Sequence, residues 1–138
     1  MLKNVILLNP SNQTKLLELT QISVYFGVEN VVLVKPTGSA SQYAAALLFK
    51  EFGDKIKLAI LPEVEDVFSF LKISAEETAF AIPEKETAFG ENFSSLIIPM
   101  SYPVDASIPE KLSLKVVNFC EKLPETANLT LLLANKMR

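Results

Sequence analysis

A single α/β domain, with a mainly parallel sheet flanked by helices, is the fold this sequence predicts, and three observations predict it. Short runs of Val, Ile and Leu recur along the chain, each stopped by proline, glycine or asparagine, as buried strands ending in turns are. The first three runs are each followed by a stretch with apolar residues at helical spacing, the alternation that builds a parallel sheet covered on both faces. With 138 residues and 49% apolar content, the chain can bury roughly two thirds of its unfolded surface in one core, which suits one domain over residues 1–138.

The first run, Val5 to Leu8, stops at Asn9-Pro10, and Ser11 or Asn12 can cap the helix that follows. That helix is expected over Lys15 to Tyr25, where Leu16, Leu17, Leu19, Ile22, Val24 and Tyr25 approximate helical spacing and Phe26-Gly27 closes it. Val31 to Val34, all apolar and stopped by Lys35-Pro36, reads as a strand buried on both faces. In the small-residue loop from Thr37 to Ser41, Ser39 or Ser41 offers a cap for an Ala- and Leu-rich helix over Tyr43 to Phe52, ended by Gly53. Backbone N–H groups in such a loop can meet an anion; a tight capped connection is the plainer reading.

Lys57 to Leu61 is a third strand closed by Pro62. Glu63, Glu65 and Asp66 then place negative charge in the first turn of a helix through Leu71, where the macrodipole favours it. Thr78 to Ile82 is the fourth strand. A polar loop from Glu84 to Phe93 leads to the fifth, Ser95 to Ile98, ended by Pro99. Pro99, Pro103 and Pro109 argue for an extended surface loop with at most a short helical turn after it. Lys115 to Cys120 is the sixth strand, and a final helix spans Ala127 to Met137.

Composition narrows the chemistry. No run reaches the roughly 18–20 apolar residues of a membrane span, and the start of the chain lacks the order of a signal peptide, so a soluble, cytoplasmic protein is expected. One cysteine and no histidine leave no disulfide framework, no zinc cluster and no Ser-His-Asp triad of the usual form; Cys120 is most simply a buried strand residue. Thirteen Lys plus Arg against sixteen Asp plus Glu give a net charge of −3, without the basic stripe that supplies most of a nucleic-acid binder's affinity. Lys50, Lys55 and Lys57 read as a solvated helix end and strand start.

Several short motifs, taken in order, resemble a known family. Asn9 to Asn12 (N-P-S-N), a helix, and Phe26 to Val34 (F-G-V-E-N-V-V-L-V) are similar to the opening of SpoU-type methyltransferases. Val34 to Gln42 and Leu61 to Val67 are similar to a largely archaeal SpoU-like group often labelled "RecB-family nuclease". Thr126-Ala127-Asn128-Leu129-Thr130 resembles the S-L-N-V-S motif that opens the last helix of the SPOUT (SpoU–TrmD) α/β-knot superfamily. The resemblance implies a homodimer with a C-terminal trefoil knot that binds S-adenosylmethionine through loops after the late strands. By position, those loops fall at Ile98, Pro99, Met100 and Ser101, at the strand end from Asn118 to Glu121, with Phe119 and Glu121, and at the final loop from Leu123 to Asn128, with Leu123, Ala127 and Asn128. Its enzymes act on RNA, so RNA is a further implied partner.

Two features depart from the family pattern. Gln21 stands five residues before Phe26, where active SpoU enzymes carry arginine, and a neutral amide cannot supply the same charge. Ile98-Pro99-Met100 also lacks the glycine expected near the cofactor. A nuclease is not expected: the acidic residue two positions before a lysine that a PD-(D/E)xK site needs is absent at all twelve lysines. The expectations are therefore a methyltransferase-like S-adenosylmethionine binder, or a catalytically silent module on the same fold.

Overall fold

The computed structural model describes residues 2–43, 46, 48–90, 92–101 and 103–136. Six strands form one all-parallel sheet: β1 (Asn4–Leu8), β2 (Asn30–Val34), β3 (Lys57–Leu61), β4 (Thr78–Glu84), β5 (Ser95–Pro99) and β6 (Lys115–Cys120), in the spatial order β3-β2-β1-β5-β4-β6. Helices α1 (Gln13–Tyr25), α2 (Gly38–Tyr43), α3 (Phe49–Phe52), α4 (Asp66–Leu71), α5 (Ile108–Lys111) and α6 (Glu125–Lys136) connect or follow them.

Strand alternation divides the core in two. Val5, Leu7, Val31, Leu33, Leu96 and Ile98 face one layer with Leu16 and Leu19 of α1, Phe52 of α3, and Leu129 and Leu132 of α6. Ile6, Leu8, Val32, Val34, Phe80 and Ile97 face the other, with Val67 of α4 and, beside it, Ile108 and Leu112. Because β1 and β5 are covered on both sides, every one of their residues is buried. The edge strand β3 is only half covered, and Ile60 is 41% exposed.

A polar row pins the amino ends of the central strands. Asn30 Nδ2 donates to Asn4 Oδ1 at 2.7 Å, Asn4 Nδ2 donates to Ser95 Oγ at 2.9 Å, and Asn4 and Ser95 are both buried. A shift of one residue would turn these amides into an apolar layer, so the row opposes register slippage.

Element ends follow local chemistry, with several differences from expectation. Asn12 caps α1, its Oδ1 accepting from Lys15 N, so the helix starts at Gln13 and not at Lys15. Where a helix from Tyr43 to Phe52 is expected, α2 begins earlier, at Gly38 with φ +56°, and α3 ends at Gly53 as expected; residues 46 and 48 between them are also helical, and residues 44, 45 and 47 lie outside those described. Strand β4 continues through Pro83 to Glu84. Its partner β5 pairs only with Thr78 to Phe80, so the proline's missing N–H breaks no β5 ladder bond. Helix α4 starts at Asp66, leaving Glu63 in the preceding turn, where its carboxylate meets Lys35 Nζ at 2.9 Å. The final helix begins two residues early, at Glu125, and Met137 lies outside the described residues.

Candidate functional site

The strand order reverses between β1 and β5, because β1 leads outward to β2 while β5 leads to β6 on the far side. Parallel sheets place ligands at the carboxyl ends of strands beside such a reversal. Two depressions lie along that end of this sheet.

The first is a cavity of about 120 Å³ bounded by Ala81 and Pro83 of β4, Ile98 and Pro99 of β5, Phe119 and Cys120 of β6, and Glu121, Leu123, Glu125 and Asn128. It takes this shape because the chain leaves the edge strand β6 and returns across the sheet to set α6 against α1. The connection from Glu121 to Pro124 forms its rim. Asn128, only 1% exposed, holds that rim: its Oδ1 accepts from Cys120 N at 2.8 Å, and its Nδ2 donates to Cys120 O at 3.0 Å and to the carbonyls of Leu123 and Pro124 at 3.3 Å. Both ends of the amide are engaged by backbone, which makes Asn128 the post on which the loop is hung.

Glu125 anchors the other side. As the first residue of α6 it meets the positive end of the helix dipole, and its Oε2 lies 3.3 Å from Lys15 Nζ on α1. The thiol of Cys120 is half-buried and donates to Lys85 O at 3.5 Å. The single cysteine thus lies at the strand's end on a cavity wall, not inside the sheet.

Of the residues singled out from sequence, Ile98, Pro99, Phe119, Glu121, Leu123 and Asn128 line this cavity together. Three do not. Met100 is buried, its N–H donating to Leu8 O at 2.8 Å, Ser101 is exposed, and Ala127 is half-buried on a different side of α6. Cys120 and Glu125, which fall inside the expected strand end and final loop, also line it, and Ala81 and Pro83 line it without having been singled out. For β4 no sequence signal was available, since only the strand order brings it beside β6.

The second depression, about 300 Å³, lies on the opposite face of the same sheet end, among Asn9, Lys35, Glu63, Glu65, Asp105 and Lys111. Asn9 (φ +56°) and Lys35 (φ +51°) turn the chain out of β1 and β2 through left-handed conformations. The hydrogen bond and charge of Glu63 hold the Lys35 ammonium above its ordinary pKa. In the Thr37 to Ser41 loop, Thr37 N and Ala40 N donate to Pro10 O and Ser11 O, and Ser39 Oγ bridges Ser11 O and Gln13 N. Its polar groups tie α2 to the β1–α1 turn, the plainer of the two readings. Lys50, Lys55 and Lys57 are all exposed. Among the described residues, no group of His, Cys, Asp and Glu could hold a metal ion, and no helix is long and apolar enough to cross a membrane.

These features define a class: an α/β protein with a six-stranded parallel sheet and a walled cavity at its carboxyl edge. No protein-family model and no curated protein matches the chain. A solved structure does, that of a "putative RNA methyltransferase" from Bacillus anthracis, with a TM-score of 0.62, 14% identity, 96% of this chain covered and 92% of that one. At that identity the likeness is one of fold, and this chain shares the α/β fold of that structure.

Proposed function

We propose that this chain is a SPOUT-type protein that binds S-adenosylmethionine in the cavity between β4, β5, β6 and α6. The observation that carries the reading is convergence: six residues placed by the order of short sequence motifs come from two separated stretches, 98–99 and 119–128, and meet around one cavity. The walls suit a flat heterocycle, with Ile98, Pro99, Phe119 and Leu123 supplying apolar surface and the rim supplying backbone polar groups. At about 120 Å³ the cavity is smaller than the roughly 300–1,000 Å³ of pockets that enclose a whole drug-sized ligand. It therefore holds one ring system, and the rest of the ligand lies along the rim past Glu121. When bound, S-adenosylmethionine supplies an electrophilic methyl group on a sulfonium. This chain's residues bind and orient it, Asn128 by keeping the 120–124 loop in place.

An RNA methyltransferase is the activity this reading extends to, in line with the description of the structural neighbour. The family's trefoil knot would be closed by passage of the β6–α6 segment through the Pro99–Pro109 loop. A second reading, a catalytically silent binding module on the same fold, is favoured by Gln21, an exposed amide on α1 where the active enzymes carry arginine. Calorimetry and thermal unfolding with S-adenosylmethionine test the binding common to both. Heat of binding and a rise in Tm with ligand concentration are expected, because a ligand taken up by the native state alone stabilises it by mass action. No heat and no shift at millimolar ligand would overturn the reading.

A further inference from the structure

Both charged residues that line the α6 cavity among the described residues, Glu121 and Glu125, are acidic. Helix polarity explains a glutamate at the first residue of α6, but not a lining whose formal charge is all of one sign. Glu125 has a side chain only 10% exposed, whereas its partner Lys15, approaching from α1, is 48% exposed. The carboxylate thus sits in the low-dielectric wall with its counter-ion on the solvent side, where water screens it. A charge entering the cavity would meet Glu125 across a less polarisable path, over which Coulomb attraction is several-fold stronger than through bulk water.

We propose that Glu121 and Glu125 make this cavity selective for a cationic ligand over its neutral counterpart, with Lys15 setting the strength of that preference. The inference rests on the S-adenosylmethionine reading above. It assigns the two glutamates to discrimination between that molecule, which carries a sulfonium, and S-adenosylhomocysteine, in which the sulfur is a neutral thioether. Loss of the methyl group removes one positive charge, so a cavity of this kind releases the demethylated product more readily than it releases the donor. A release step of that sort often limits turnover.

The test is calorimetry on the full chain with both ligands, for the native protein and for Glu121→Gln, Glu125→Gln and Lys15→Met. The native protein should bind S-adenosylmethionine about tenfold more tightly than the thioether, equivalent to roughly 1.4 kcal/mol. Each glutamine variant should lose affinity for the sulfonium ligand alone and bring the ratio toward unity. Lys15→Met, which leaves Glu125 less neutralised, should raise it. A circular dichroism melt checks that Glu125→Gln is folded, and Glu121→Gln, at an exposed position, carries the test if it is not. Equal affinities in the native protein, a preference for the thioether, or equal weakening of both ligands in the variants would overturn the inference while leaving the binding site in place. Failure of the native protein to bind either ligand would instead overturn the binding reading and this inference together.

Discussion

Asn128 engages both ends of its side-chain amide with the backbone of one loop, and the consequence is specific. Removing it takes the acceptor from the part-buried Cys120 N–H, whereas the carbonyls of Cys120 and Pro124 keep the backbone N–H groups of Leu123 and Asn128. A buried polar group left without its partner costs roughly 1–3 kcal/mol. Asn128→Ala should therefore destabilise the protein by about 1–3 kcal/mol, read in urea unfolding as a lower midpoint at unchanged slope. Asn128→Asp should be little better, since a carboxylate can accept from Cys120 N but cannot donate to the carbonyls. A loss below about 0.5 kcal/mol, the level of an ordinary surface change, would show that the loop holds itself. Sequence alone could place Asn128 at the start of the last helix. It could not show the residue reaching back eight positions to Cys120, because that bond exists only once β6 and α6 are packed side by side.

At the scale of elements, the stretch between β5 and α5 is the least regular part of the described chain, and a local hydrogen-bonded turn gives it shape. Asp105 Oδ1 accepts from Ser107 N at 3.0 Å and from Ser107 Oγ, and these bonds hold the Asp105 carboxyl below its ordinary pKa of 3.8. The sign follows from linkage: a depressed folded value means a contribution to stability that is complete above the unfolded pKa and lost as pH falls through the folded one. The turn should thus open below about pH 3.8. An NMR titration of Ser107→Ala should show Asp105 moving up toward 3.8, and an unmoved value would show that Ser107 is not the cause. Strand and helix existence was legible throughout from apolar runs and their punctuation, because those signals are local. Less legible were the ends that distant groups decide. Glu63, expected in a helical first turn, is drawn to Lys35 across a strand connection, and Ser39, expected as a cap, bonds to the β1–α1 turn instead.

On the scale of the whole molecule, α1 and α6 pack together on one face of the sheet, and large apolar side chains remain on these helices. Tyr25 is 82% exposed and Leu131 49%. The family resemblance implies a homodimer formed through the first and last helices, and such side chains are suited to bury against a second copy. Sedimentation should give twice the 15.2 kDa chain mass for the native protein, and the chain mass for a Tyr25→Glu/Leu131→Glu variant. A native monomer at working concentration would overturn the homodimer expected from the resemblance.

The sequence by itself determined the βα alternation, the mainly parallel character of the sheet and the two-faced burial of its central strands. These follow from local periodicity and turn chemistry, which act over a few residues. Only the tertiary structure decided the strand order, and with it the neighbours of each segment: Ala81 and Pro83 beside Phe119, Glu125 beside Lys15, and Met100 turned into the core instead of toward the cavity. The reason is physical. Which strands become adjacent depends on how all the apolar faces are buried at once, and no short stretch of the chain contains that information.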